Sequence, residues 1–357
     1  MISKRVKILL SLAFLFLLPA IASAQATIKV NDNVSFKVGT LVQAWADSAQ
    51  DATTKGYANN LFLRRIRFIL GGQITPNITF FFETDNPNLG KSPKNLGGGF
   101  ITQDAFIEWK PRSNAFMLDA GMMFVPLCRN CLESAATLLS LDYGSFTFTQ
   151  SAATQSSVGR DTGFQAKGYL GSGHFEYRAG LFQGVRQPGA RNALRVAGRG
   201  QYNVWDTETG YLYPGLYLGN KRILSIGGGL DHQQDYKAYS VDGFLAMPMD
   251  KNALNGELTL LKFDGGTTFA SIPEQRDATL QVGYYLGGPK VMPWLRYENQ
   301  NFTASSQNSR DNHRYQLGVT WFPNAANYNI KGAFSRVDPR TGNKTNEYTI
   351  QMQFFYF

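Results

Sequence analysis

Histidine and cysteine are nearly absent: 357 residues hold three histidines and two cysteines. His174, His232 and His313 stand apart, each beside a turn or loop, so no acid–base or metal-ligating constellation is written along the chain. No G-x-S-x-G elbow, H-E-x-x-H helix, Walker loop or G-x-G-x-x-G turn occurs in a strand-to-helix setting, which removes the common hydrolase, metalloprotease and nucleotide-binding readings. Beyond the first two dozen residues, no segment approaches eighteen consecutive apolar side chains, so the chain does not cross a bilayer as helices. Linkers, low-complexity tracts and charge blocks are missing as well, and one domain is expected. The formal charge of +9 includes Lys4, Arg5 and Lys7; without them about +6 remains, dispersed and lacking the basic arm that nucleic acid would require.

What is present begins with an export signal. Lys4, Arg5 and Lys7 precede the apolar run Ile8 to Leu18, and Ala22-Ser23-Ala24 follows as a small-residue cleavage site, so residues 1–24 read as a signal peptide and 25–357 as the mature domain. After it come short runs in which polar and apolar residues alternate. The clearest form hairpins around turn residues: Leu61 to Ile74 with Ile78 to Asp85, Thr102 to Lys110 with Ala115 to Val125, and Arg160 to Leu170 with His174 to Gln183. Arg276 to Gly287 with Val291 to Gln300, and Asn312 to Phe322 with Tyr328 to Val337, continue the series.

Short turns alternate with longer polar connections, among them Asn86 to Ile101, Pro126 to Gly159 and Gly184 to Ala193. Two places break the alternation: the connection after Trp205 is long, and that at Gln233 to Asp235 is short. Alternate residues facing hydrocarbon and water, with short turns at one end and long loops at the other, imply an all-β, transmembrane antiparallel β-barrel of about sixteen strands in a bacterial outer membrane. An even strand number puts both termini at the periplasmic end. Aromatic residues, 13% of the chain, suit the girdles at both interfaces.

The period of two assigns faces. It groups Phe62, Ile66, Phe68 and Leu70 on one face of their strand, opposite Arg65 and Arg67. In the last strand Tyr348, Ile350, Met352, Phe354 and Tyr356 oppose Glu347, Thr349, Gln351 and Gln353. The same parity puts Arg65, Arg67, Lys167, Arg178, Arg195, Arg199, Arg296, Arg314 and Lys331 on polar faces, where cations in a narrow pore would concentrate anions. Glu83, Asp104, Glu108, Asp119, Asp161, Glu176, Asp231 and Glu298 share those faces, so a salt-bridged wall is the competing reading. Cys128-Arg129-Asn130-Cys131 fits a small local disulfide in an exported chain; free thiols and a two-thiolate metal site are the alternatives. Gly227-Gly228-Gly229 lies within a strand pattern and reads as backbone relief.

Phe62-Leu63-Arg64-Arg65-Ile66-Arg67-Phe68, Phe80-Phe81-Phe82-Glu83-Thr84-Asp85, Ala105-Phe106-Ile107-Glu108-Trp109, Gly159-Arg160-Asp161-Thr162-Gly163 and Tyr177-Arg178-Ala179-Gly180-Leu181-Phe182-Gln183-Gly184 resemble the phosphate-selective porin O and P family. The resemblance implies a homotrimer of sixteen-stranded barrels, each with an inward-folded third extracellular loop, here Pro126 to Gly159. It carries pore-wall arginines over to Arg65 and Arg67. The expectation is a porin for passive diffusion of small hydrophilic solutes with an anion or phosphate preference, with outer-membrane lipid around it and no enzyme activity, cofactor or metal. A channel specific for sugars or other small organic solutes, and a non-conducting structural or adhesin barrel, are the alternatives.

Overall fold

The computed structural model describes residues 26–91, 93–94, 96–185 and 193–357. The expected signal peptide lies outside the described residues, as does 186–192 of the connection expected at Gly184 to Ala193. A short strand β1 (Ala26–Lys29) precedes β2 (Ser35–Gln50), β3 (Tyr57–Thr75), β4 (Ile78–Asp85), β5 (Ile101–Trp109) and β6 (Met117–Phe124). After a long segment follow β7 (Arg160–Leu170), β8 (Phe175–Phe182), β9 (Arg195–Asn203), β10 (Ile223–Gln233), β11 (Tyr236–Met249) and β12 (Asn252–Asp264). The chain ends with β13 (Gln275–Tyr285), β14 (Val291–Phe302), β15 (Asn312–Asn324), β16 (Tyr328–Pro339) and β17 (Thr345–Tyr356).

Strands β2 to β17 each pair antiparallel with their sequence neighbours, and β17 returns to β2 with Gln351 opposite Trp45, so sixteen strands close a barrel without a free edge. Closure satisfies every ladder inside the sheet, which is the condition for strands to stand in hydrocarbon. β1 extends the start of β2, with Ala26 opposite Val38.

Burial alternates as the ladder demands. On β11, Tyr236, Ala238, Ser240, Asp242 and Phe244 are buried, while Lys237, Tyr239 and Val241 are exposed. Around the outside Phe68, Ile107, Phe164, Leu181, Ile226, Leu295, Leu317 and Ile350 form an exposed apolar belt. Such a belt is far larger than a water-facing protein tolerates and matches the lipid contact of a spanning barrel. Tyr348, Ile350, Met352 and Phe354 belong to it, and Thr349, Gln351 and Gln353 are buried inside, as the alternation in the last strand predicts.

One face assignment is corrected. On β3 the register passes from Arg65 opposite Gln43 to Leu63 opposite Ala44, so Arg64 is an extra residue and the ladder bulges there. A bulge reverses the parity of everything before it. Phe62 therefore points inward, buried against Trp45 with ring centroids 5.8 Å apart, and not outward with Ile66 and Phe68.

The turns β3–β4, β11–β12 and β15–β16 lie at the end where β2 begins and β17 ends, and the long segment 125–159 lies at the other. The exceptions foreseen from sequence are both present: 204–222, between β9 and β10, is long at the turn end, and only Gln234 and Asp235 join β10 to β11.

Candidate permeation path

The lumen is occupied from both ends. Segment 125–159 leaves β6 and returns to β7 with its base tied by Val125 N–H to the Gly159 carbonyl at 2.9 Å and by the Arg160–Asp104 pair at 3.0 Å. It then runs along the inner wall and is held there by inward side chains of distant strands. Ser240 Oγ donates to the Leu127 carbonyl at 2.6 Å, Gln43 and Gln353 donate to the carbonyls of Ala135 and Ala136 at 3.1 and 2.8 Å, and Glu298 accepts from Ser145 N–H at 2.5 Å. Glycine makes room for this contact: a Cβ on inward Gly229 would lie 2.1 Å from the Leu127 oxygen. Cys128 and Cys131 form a disulfide at the start of the segment, buried against Tyr236, Phe263 and Phe269.

From the turn end, 204–222 folds up to meet it. Tyr213 N–H donates to the Leu132 carbonyl at 3.0 Å, and Ser134 N–H donates to the Tyr213 carbonyl at 2.9 Å, a two-bond parallel bridge inside the barrel. Arg129 clasps Glu208 through both terminal nitrogens. Burial would raise the Glu208 carboxyl, but the Arg129 guanidinium outweighs it and holds the group below its ordinary range. Burial and then the neighbouring Glu257 carboxylate push Glu133 well above that range, with Arg129 opposing. Tyr211 donates to Asp104 at 2.5 Å and Tyr213 to Glu176 at 3.0 Å.

All nine expected lumen cations face inward, and each is engaged. Arg65 reaches Asp142 at 2.6 Å, Arg67 reaches Glu83 and Asp85 at 2.7 and 3.0 Å, and Lys167 reaches Glu108 and Asp119 at 2.7 and 3.1 Å. Arg178 pairs with Glu176, Arg195 with Asp231 and Arg199 with Asp242, all at 2.5 Å. Arg296 lies 3.3 Å from Glu298 and Arg314 lies 2.7 Å from Glu347. Lys331 differs: it donates to the carbonyls of Leu138 and Ser140 at 2.7 and 2.6 Å. Most are buried, and a buried ion pair holds geometry more than it adds stability. They therefore anchor wall to wall and wall to segment 125–159.

Three groups escape a reading of strand parity. Arg64 pairs with Asp142 at 2.9 Å because the bulge turns it inward. Lys91 comes from the connection after β4, crosses the Phe62 ring at 4.7 Å and pairs with Asp47 at 3.1 Å. Arg129 carries no strand periodicity at all. Burial would raise Asp142, yet Arg64 and Arg65 together hold it well below the ordinary carboxylate range.

A closed sixteen-strand barrel with an apolar outer belt and a charged lumen is a bacterial outer-membrane channel for small solutes. The sequence matches the family described as Phosphate-selective porin O and P over residues 36–213, and the chain belongs to that family. Solved structures share the fold at low identity. An anion-selective porin from Comamonas acidovorans is 14% identical, covering 90% of this chain and 100% of its own, with a TM-score of 0.58. OmpF from Salmonella typhi, solved with daunomycin, is 11% identical over 92% of this chain and 100% of its own, TM-score 0.60. OmpT from Vibrio cholerae in its trimer form is 11% identical over 91% and 100%, TM-score 0.53. Comparison with curated protein sequences finds no match.

Proposed function

We propose that this channel favours small anions, inorganic phosphate among them, over cations of similar size, and that segment 125–159 forms its constriction. The observation that supports this reading is the exposure of the ion pairs at the long-loop end. In five of these pairs the cation is at least as open to water as its carboxylate: Lys91 is 40% exposed against 1% for Asp47, and Arg340 is 58% against 10% for Asp311, while the buried Arg65 and Arg195 run the other way against Asp142 and Asp161. Arg64 with Asp142, Arg314 with Glu347 and Lys344 with Asp338 follow the same rule. A solute entering from that end meets guanidinium and ammonium groups first, and charged mouths with low-dielectric walls concentrate counter-ions. Arg65, Arg67, Lys167, Arg178, Arg195, Arg199 and Arg296 act as paired wall groups, and Lys331 as a cation held by loop carbonyls, and together they set the field of the lumen. The trimer named for the Vibrio relative and the family resemblance favour a homotrimer surrounded by outer-membrane lipid.

The test is the reversal potential of single channels in a salt gradient. Arg64→Glu, Lys91→Glu and Arg314→Glu together should move it toward cation preference, and phosphate should reduce chloride current in the unaltered channel. A potential unchanged by the triple substitution removes the anion preference and leaves the channel. Block by a sugar but not by phosphate would replace it with a sugar-specific pathway.

A further inference from the structure

A concave groove of about 330 Å³ crosses the outer wall of the barrel on β11 to β14. Its lining is ordered by the ladder. Tyr239 pairs with Lys262, Lys262 with Arg276, and Arg276 with Asn301, which makes one horizontal polar row across four strands. Directly beneath, Val241 pairs with Leu260 and Leu260 with Ala278, an apolar row hollowed where Ala278 is small. Lys237 stands just above Tyr239 on β11, outward and exposed. The polar row lies at the long-loop end: Lys262 is two residues from the end of β12 and Arg276 is the second residue of β13.

Charged side chains on a wall that otherwise faces hydrocarbon are costly unless they reach the interface or a partner there. The acids nearby are already engaged. Glu274 pairs with Lys262 at 2.8 Å, and Asp264, opposite Lys237 in the ladder but not in ion-pair contact with it, accepts from Gly266 N–H at 3.0 Å. Lys237 and Arg276 have no ion-pair partner among the described residues. Cations above an acyl-width apolar hollow match an anionic lipid standing in the leaflet. Lys237 on β11 and Arg276 on β13 stand two strand spacings apart, about 10 Å across the ladder, with Lys237 one outward position higher. A single phosphodiester head engages one of the two, whereas a glycolipid phosphorylated at both ends of its sugar reaches Lys237 and Arg276 together.

We infer that this groove is a binding site for a phosphorylated glycolipid of the outer leaflet, its phosphates on Lys237 and Arg276 and an acyl chain along Val241, Leu260 and Ala278. The experiment is native mass spectrometry of the full-length detergent-purified channel with added bisphosphorylated lipid A. Lys237→Gln with Arg276→Gln should lower retention at least tenfold, and Ala278→Trp, which fills the hollow and keeps the cations, should do the same. Single-channel conductance should stay unchanged in both, since neither substitution touches the lumen, and this confirms the fold. Equal retention by the double variant overturns the site. Equal retention of dephosphorylated lipid A overturns the phosphate contact, and equal retention of phosphatidylglycerol overturns the glycolipid as the occupant.

Discussion

Arg129 and Glu208 reach the middle of the barrel from its opposite ends and join there through two hydrogen bonds of 2.7 and 2.8 Å. Arg129 belongs to the segment entering from the long-loop end, and Glu208 to the connection between β9 and β10 at the turn end. Arg129 also donates to the Pro214 carbonyl at 3.0 Å and lies over the Phe244 ring at 3.7 Å. The clasp links the two segments that fill the lumen and makes each a support for the other.

Glu208→Ala should therefore weaken both. Removing one member of a buried pair leaves the other charge uncompensated, at a cost of about 3–5 kcal/mol. The expected outcome is a lower thermal midpoint of barrel unfolding together with larger, noisier single-channel steps. A variant with unchanged conductance would show that the two segments keep the bore independently of one another.

Acid should spare Asp142. Its pKa in the folded channel is depressed by Arg64 and Arg65, so the stability it contributes is fully present above the unfolded carboxylate value of about 3.9 and is lost as pH falls through the depressed one. Unfolding midpoints of the native channel and of Asp142→Asn should differ by a constant amount from pH 8 to about pH 5 and converge only in stronger acid. Convergence already near neutral pH would mean that the two arginines do not control this carboxylate.

Gly229→Val tests how segment 125–159 is seated. The Leu127 carbonyl occupies the space a side chain would take, and overpacking of that kind costs typically about 1–3 kcal/mol. The segment should shift off β10, changing conductance while the barrel still assembles, as read by its heat-modifiable migration on a gel. Native conductance in this variant would place the Leu127 contact outside the control of the bore.

The barrel was legible because membrane strands obey a local rule. Alternation along Tyr348 to Tyr356 names both faces of β17, and turn residues such as Thr75-Pro76-Asn77 mark hairpins, with no knowledge of distant contacts. The inward direction of all nine lumen bases follows from the same rule. It failed at Phe62, where a single extra residue at Arg64 reversed the count, because a bulge depends on the partner strand and leaves no mark in composition.

The sequence by itself determined a strand-built chain whose alternate side chains face lipid and a polar interior, since those properties repeat every second residue. Only the tertiary structure decided which charges meet. Asp142 meets Arg65 across a long loop, Lys331 meets backbone carbonyls instead of a carboxylate, and Arg129 meets Glu208 from the far end of the barrel. Charge pairing across a lumen is set by distances in space between segments remote along the chain, and no periodicity encodes them.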